Sequence, residues 1–301
     1  METRRLELLV ELSRLGSMRA VADLLGTTTS TVSQQIAVLS REMGTALIEP
    51  HGRRVRLTPE GRRLAEHAVM ILAAVEAAHL DLGPEAEPSG VLRVAGFATA
   101  IRAFLLPIIT GLAASHPRVR VLIREHERAE VLALLAADQT DLGLTYDYNL
   151  APAAGDPAVN STPLWIARWG LGVPAGEPAG NGTTLDVFAR FGGHDWIGNS
   201  RNTADEDVIR TLASMAAFTP RITHQADSLD LVQDMIAAGL GVGLLPYGRP
   251  TGPQVRLIPL SAPPVELRAY ALARHGRLSW PPLALVTGLL QRASHAARQA
   301  P

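Results

Sequence analysis

The chain contains no cysteine, no lysine and few aromatic residues, 4% in all. Without cysteine there is no disulfide, no thiolate zinc site, no iron–sulfur cluster and no sulfur nucleophile; a reducing compartment is permitted by that absence and not proved by it. All 28 basic residues are therefore arginines, which face 29 acids for a formal net charge of −1. So even a balance, with 19% charged residues, excludes a polyanion-coating tail, while 47% hydrophobic residues suffice for real cores and argue against disorder. Long apolar runs are missing too. Uncharged stretches such as 237–247 fall short of the ~18 residues a membrane span needs, and glycines break them. Residues 1–15 interleave Glu2, Arg4, Arg5, Glu7, Glu11 and Arg14 with leucines, leaving no apolar core for a secretory signal. The expectation is a cytoplasmic protein with no membrane partner, of two or three domains at roughly 100 to 200 residues each.

Divided along the chain, the charge says more. Residues 1–80 hold 10 arginines and 9 acids, but within 41–63 Arg41, Arg53, Arg54, Arg56, Arg62 and Arg63 face only Glu42, Glu49 and Glu60. A compact basic surface can engage phosphate on a protein of neutral balance. Taken alone it is equally an ordinary solvated face.

The same region is helical by pattern. Leu6, Leu9, Val10, Leu12 and Leu15 form one apolar face that stops at Gly16, with Ser17 as a cap. Ala20, Val21, Leu24 and Leu25 mark the inward face of a second helix, and Thr28 caps a third, in which Val32, Ile36 and Leu39 point inward. The outward side of that third helix carries Thr29, Ser30, Ser33, Gln34 and Ala37, hydroxyls and amides able to bond base edges and phosphates. Short helices around a glycine-containing turn are the parts of a helix-turn-helix, though a plain three-helix bundle has them as well. Beyond Gly44, short apolar pieces flank Pro50, His51, Gly52, Arg53 and Arg54 like a β-wing with arginines at its tip. Thr58 then caps and Pro59 opens a long helix with a stripe of Leu64, Ala68, Ile71, Val75, Ala78 and Leu82. That 3.5-residue repeat suits a coiled coil with a second copy, or packing onto the chain's own body.

The stretch Leu15-Gly16-Ser17-Met18-Arg19-Ala20-Val21-Ala22, then Thr31-Val32-Ser33-Gln34-Gln35-Ile36, then Leu39, Gly44, Leu47 and Val55-Arg56-Leu57-Thr58-Pro59-Glu60-Gly61 resembles the LysR-type transcriptional regulator family. The resemblance implies a winged helix-turn-helix over 1–58, a dimerising linker helix and hinge over 59–89, and DNA contact through Ser17, Arg19, Thr28, Thr29, Ser30, Thr31, Ser33, Gln34, Arg53 and Arg54. Four positions depart from the family: Thr29 replaces a usual glutamine, Ser30 a frequent proline, Gln34 a frequent arginine or lysine, and Pro50 a wing arginine. They imply shifted sequence preference and lower affinity.

Residues 84–90, with Pro84, Pro88 and Gly90, read as a linker. Strand and helix patterns alternate beyond it: strands at 91–95, 119–124 and 141–146, helices at 101–112 and 129–137, then a second set with strands at 165–173, 196–199, 221–224 and 242–246 and helices at 184–190, 203–217 and 228–238. This is α/β architecture. Leu105-Leu106-Pro107, Pro117, Asp141-Leu142-Gly143-Leu144 and Ala226-Asp227-Ser228 through 238–246 carry the resemblance into this half. It implies a two-lobed effector domain over 90–301 like type 2 periplasmic binding proteins, with lobe one at 90–161 and 268–301 and lobe two at 162–267. Its ligand is expected in the cleft, at Ala98, Thr99, Tyr146, Asn199, Ser200, Thr203 and Pro246, with Arg102, His126 and Arg201 as charge partners.

The loop 96–100, between a strand end and a helix start, favours an anion, so a carboxylate-bearing metabolite is the expected effector. Thr99 serves equally well as a cap, and Arg102 as a solvated residue. His194-Asp195, His224 and Asp227-Ser228 supply hydrolase residue types, but no G-x-S-x-G elbow exists and Ser228 reads more simply as an N-cap. Asp205, Glu206 and Asp207 suit a helix's first turn better than a metal, and no histidine pair has zinc spacing. The sequence therefore reads as a DNA-binding regulator rather than an enzyme, with no cofactor or metal. Operator DNA, a homodimer assembling to a homotetramer and, for an activator, RNA polymerase are the implied partners. The rival is a family-like metabolite binder with weakened DNA reading.

Overall fold

The computed structural model describes residues 2–51, 54–82, 87–178 and 182–299. Helix α1 (Thr3–Leu15) buries Leu6, Leu8, Leu9 and Leu12 and stops at Gly16, whose N–H bonds the Leu12 carbonyl. Ser17 Oγ accepts from Ala20 N at 3.4 Å and opens α2 (Met18–Leu24). Leu24, expected inward, is 53% exposed: the helix ends there, and Val21, Ala22 and the following Leu25 fill the inward side. Thr28 Oγ1 accepts from Thr31 N at 3.1 Å to cap α3 (Thr29–Met43), in which Val32, Ile36 and Leu39 are fully buried.

Strands β1 (Ile48–His51) and β2 (Arg54–Leu57) pair antiparallel, with Ile48 opposite Leu57. Thr58 donates to the Ala46 carbonyl at 2.7 Å and accepts from Gly61 N at 3.0 Å, which ties the wing to the start of α4 (Pro59–Leu82). No side chain fits at residue 61, where a Cβ would lie 2.0 Å from the Leu47 carbonyl oxygen. The expected seam of α4 divides. Ala68 is buried and Leu64 and Ile71 pack into the core built with α1, so the chain's own body takes the front of the stripe. Val75 is half-buried, beside a groove it lines with Arg277 and Trp280, and Ala78 is exposed; the side chain of Leu82 lies outside the described residues.

Nine strands form one sheet. In chain order follow β3 (Gly90–Gly96), α5 (Ala98–Ala100), a π-helical turn (Ile101–Leu105), α6 (Leu106–Ser115), β4 (Val119–Glu125), α7 (Arg128–Ala136), β5 (Leu142–Tyr148), β6 (Val159–Pro174), α8 (Thr184–Arg190), β7 (Asp195–Gly198), α9 (Ala204–Met215), β8 (Arg221–Gln225), α10 (Leu229–Ala237), β9 (Val242–Pro246), β10 (Val255–Pro259), β11 (Val265–Arg274) and α11 (Pro281–Gln299). The strand order is β4-β3-β5-β11-β6-β9-β7-β8, with β10 also on β6. Two parallel triplets, β4-β3-β5 and β9-β7-β8, thus flank a central antiparallel pair. β6 runs through 161–162 and β11 through 267–268, the two expected lobe boundaries.

The helix expected over 101–112 begins earlier and contains the π turn just before Pro107. Proline supplies no N–H for the carbonyl four residues back, and one widened turn accommodates that loss. The whole stretch, Ala98–Ser115, is the one helix among the described residues long and apolar enough to cross a membrane. Here Ala100, Leu105 and Leu112 join the core of the sheet, alongside Trp196, Phe188 and Leu171.

The Asp141-Leu142-Gly143-Leu144 run also has a structural meaning. Asp141, whose side chain is fully buried, accepts from Arg93 Nε at 2.9 Å, from an Arg93 terminal nitrogen at 2.7 Å and from the Arg93 backbone N–H at 2.9 Å. Arg277 donates to the same carboxylate at 2.7 Å and lies over the Trp280 ring, so β3, the residue before β5 and the turn between β11 and α11 share one ion cluster. Burial opposes the charge, but the Arg93 hydrogen bond and the Arg277 and Arg93 charges outweigh it and hold Asp141 below the usual carboxylate range.

Candidate functional site

The outward face of α3 is polar. Thr28, Thr29, Ser30, Thr31, Ser33 and Gln34 are all exposed, and Gln35 beside them accepts from Arg5 Nε at 2.9 Å. Thr28 Oγ1 lies 2.8 Å from both the Ser30 and Thr31 hydroxyls, so three of the expected contact residues form one cluster at the start of α3. Arg19 is exposed on α2, and Ser17 is engaged as its cap. Of the wing arginines, Arg53 lies outside the described residues and so does the side chain of Arg54. Arg56 is held by Glu49 at 2.7 Å across the wing.

The second candidate site follows from strand polarity. In a parallel sheet the carboxyl ends of neighbouring strands open into crevices where chain direction changes. Phe97 after β3, Glu125 at the end of β4, Tyr146 near the end of β5, Asn199 after β7 and Asp227 after β8 come together around one cavity of about 40 Å³. Trp169 of β6 and Leu267 of β11 supply walls from the central pair. The site needs close strand packing: at Gly96 a Cβ would lie 2.6 Å from that of Leu144. Phe97, Tyr146, Tyr148 and Trp169 form an aromatic row across the sheet, with successive ring centroids 4.7, 6.1 and 5.6 Å apart. Six of the chain's few aromatics gather here once Phe104 and Trp165, stacked at 3.8 Å, are included.

The charge of the cavity is one-sided. Glu125, Glu127, Asp205 and Asp227 line it, and no basic residue does. Arg201, just outside, donates to Glu125 at 2.7 Å and to Asp227 at 3.3 Å, while Ser200 also bonds Asp227. Burial opposes the Asp227 charge, but Ser200 and Arg201 outweigh it and hold its carboxyl below the ordinary range. Glu127 and Asp205 have weaker help and no ion pair of their own among the described residues. Glu127 accepts from Asn202 Nδ2 at 2.7 Å and feels the Arg201 charge, and Asp205 accepts from the Tyr148 hydroxyl at 2.8 Å with Asn199 beside it. Burial pushes Glu127 up to about 7 and Asp205 up to about 6, with Asp227 adding like-charge repulsion to both.

These shifts predict a pH dependence. A carboxyl whose folded-state value is raised stabilises the fold below its ordinary value, and that contribution is lost as pH rises through the folded value. For Glu127 and Asp205 the window runs from about pH 4 to about 7. Thermal melting of the free protein is expected to fall by a few degrees from about pH 5.5 to about 8, and Glu127→Gln to flatten the slope and melt higher at the alkaline end. A wild-type curve that is flat or rising over that interval would contradict the assignment.

Several expected effector residues are placed around this cavity. Ala98, Thr99, Tyr146 and Asn199 line it; Arg102 stands at its mouth, a space of about 230 Å³ shared with Asp230 and Arg249. Arg201 and Thr203 border a larger adjoining space of about 600 Å³, reached past Glu127 and Tyr146. His126, Ser200 and Pro246 are not among the residues lining any of these three spaces; Ser200 acts through Asp227, and Pro246 pairs with Trp169 in the sheet. Phe97 is the residue before α5, so Thr99 is not its cap.

Five site residues are not read from sequence: Glu125, Glu127, Asn202, Trp169 and Asp205, the last assigned only to a helix's first turn. Asp205 does begin α9, yet its carboxylate turns into the cavity, whereas Glu206 pairs with Arg210 and Asp207 with Thr203. Ser228 caps α10 by accepting from Leu231 N, as the sequence suggested. No cluster of metal-ligating side chains occurs among the described residues.

A winged helix-turn-helix joined to a two-triplet α/β domain with a crevice at its strand ends defines a class: a DNA-reading module coupled to a ligand domain. Residues 3–62 match the family described as "Bacterial regulatory helix-turn-helix protein, lysR family", and 85–294 match the "LysR substrate binding domain". The chain belongs to the LysR family of transcriptional regulators. It is similar to the "Transcriptional dual regulator GltC" of Bacillus subtilis, 26% identical over 260 residues that cover 82% of this chain and 81% of that protein. A "Probable hydrogen peroxide-inducible genes activator" of Mycobacterium xenopi is 33% identical over 161 residues, 53% of this chain and 82% of the relative. Among solved structures, a full-length variant of OxyR from Pseudomonas aeruginosa shares the fold at a TM-score of 0.69 and 19% identity, covering 98% of this chain and 97% of that one.

Proposed function

We propose that this regulator reads operator DNA with α3 and adjusts its binding to a small effector held at the ends of the parallel strands. The observation that carries the first part is the uncharged, fully exposed face Thr28-Thr29-Ser30-Thr31-Ser33-Gln34 on a helix whose opposite side is locked by Val32, Ile36 and Leu39. Such a helix offers donors and acceptors to base edges while its core sets their position, and Arg53 and Arg54 at the wing supply phosphate contacts. Two copies, paired through the rear of α4 where Val75 and Ala78 are left, would present two such helices to a pseudo-palindromic site. Tetramer assembly, polymerase contact in the case of an activator, and action in the cytoplasm complete this reading.

The effector part rests on the crevice and its aromatic row. A carboxylate-bearing effector, expected from the loop before α5, finds no support in the lining: an anion placed there meets four carboxylates and no basic side chain. Some relatives are named for induction by hydrogen peroxide; a chain without cysteine has no thiol with which to answer it.

Gel-shift titration of the full chain on the DNA upstream of its own gene tests the regulator reading. A saturable, salt-sensitive complex is expected, weakened roughly tenfold or more by Ser33→Ala with Gln34→Ala, and Arg53→Gln is expected to lower the salt slope by about one. An unchanged complex in the double variant would remove α3 from the interface. Absence of any specific complex at low salt would favour the metabolite-binder alternative.

A further inference from the structure

We propose that the effector of this regulator is a small organic cation, whose ammonium or guanidinium group enters the cavity between Glu127, Asp205 and the rings of Phe97, Tyr146 and Trp169. The inference rests on the effector-controlled reading above and names the chemistry of that same site.

Three independent observations converge on it. The first is uncompensated charge. Glu127 is 6% exposed, and neither it nor Asp205 has an ion-pair partner among the described residues; Arg201, whose charge reaches Glu127, is itself held by Glu125 and Asp227. Buried carboxylates are ordinarily paired, so two that share one cavity without a counter-ion mark a place for a positive group.

The second observation is the wall. Phe97, Tyr146 and Trp169 surround the same space, and aromatic faces beside carboxylates attract ammonium and guanidinium groups through the ring quadrupole. Trp169 adds a separate signal. It is 6% exposed, and its indole Nε1–H has no hydrogen-bond acceptor among the described residues. A ligand carrying an acceptor atom beside its cationic group would satisfy it.

Size is the third. About 40 Å³ exceeds the roughly 10–15 Å³ that one water requires and suits a group of a few heavy atoms, while the mouth of about 230 Å³ beyond Ala98 and Thr99 takes the rest of the molecule. At that mouth Arg249 and, at 3.9 Å, Arg102 hold Asp230, so charge of both signs faces an entering ligand.

Binding of a cation would restore the ionised carboxylates and release protons, so affinity rises with pH for as long as the ligand stays protonated. The charged and polar groups that stand around Glu127 are Asp205 from α9, Asp227 from the loop before α10, Arg201 from the loop before α9 and Tyr146 from β5, with His126 and Glu130 on its own chain segment.

The test is a thermal-shift panel on the full chain with agmatine and 1,4-diaminobutane against succinate and benzoate, at matched ionic strength and at two pH values near 6 and 8. The amines are expected to raise the melting temperature by several degrees, more at the higher pH, and the acids not to. Glu127→Gln with Asp205→Asn is expected to weaken the amine response roughly tenfold or more, while Asp234→Asn on the outside of α10 leaves it intact. A response to the acids and not the amines overturns the cationic assignment, as does silence from both classes or an amine response indifferent to the double variant. The gel shift run in parallel separates the two readings. A specific DNA complex with a failed amine panel leaves the regulator standing without this ligand class, whereas loss of the complex itself strikes the regulator reading.

Discussion

Asp141→Asn is expected to cost about 3–5 kcal/mol, because it removes one charge from a buried cluster and leaves two guanidinium groups facing a neutral amide. Arg93 makes three hydrogen bonds to that carboxylate and Arg277 a fourth, and Asp138, which Arg277 and Arg274 approach at 3.6 and 3.5 Å, cannot replace it for Arg93. The asparagine keeps the size of the side chain, so the loss is electrostatic rather than steric. Calorimetry at neutral pH should show the sheet domain melting roughly 10 °C lower. The sign of its pH dependence is fixed: a carboxyl lowered in the folded state stabilises above its ordinary value of 3.8, and that advantage disappears as pH falls through the folded value. The gap between wild type and variant should therefore close in acid. A variant within about 1 kcal/mol of wild type at neutral pH would show that the cluster is not held as described.

Ile36→Ala should be nearly as damaging, and more localised. Its side chain is fully buried in a small core shared by the helices and wing of the DNA module and the front of α4, a core that also holds Leu9, Val32, Leu39 and Leu47. Removing three carbons there leaves a cavity worth about 2–5 kcal/mol, a large part of what a module of roughly 60 residues has to lose. That core shares no buried residue with the core of the sheet. Two melting transitions are expected in the variant, the lower one carrying the DNA module, together with loss of operator binding and retained response to ligand. One concerted transition would mean that the two cores stabilise each other more than their separate contents indicate.

Local patterns made much of this fold legible. The apolar period in Val32, Ile36 and Leu39 and the caps at Ser17, Thr28 and Thr58 place the reading helix and the wing, and α8 and β9 fall on the residues their patterns predict. Departures occur where neighbours decide. Leu24 satisfies the helical stripe, but α2 is too short to need it, and half of the α4 stripe is taken by α1. The alternation in β11, whose odd positions from Val265 to Ala273 are buried, is visible in sequence, but nothing local reveals that this strand sits between β5 and β6.

The cleft was legible in position and not in charge. A glycine and short loop after β3 mark a strand-end crevice from sequence alone. Its acidity depends on Glu127, Asp205 and Asp227, which come from separate loops and helix starts and meet only through tertiary packing. Asp205 shows the difficulty most clearly, since an acid in a helix's first turn looks complete without any further partner.

The sixteen-residue β6 and ten-residue β11 lie between the two triplets and pair with both, so the walls of the crevice are joined by continuous hydrogen-bonded ribbon and not by free loops. Prising the walls apart must bend that ribbon, and a register slip between Arg268 and Tyr270 gives it one softer joint. An effector lodged against Trp169 and Leu267, as proposed above, would press on the ribbon itself. Its message would then be a change of twist, small in amplitude and spring-loaded to return, passed along β11 to the turn where Gly276 rests against Met70 of the helix that carries the DNA module.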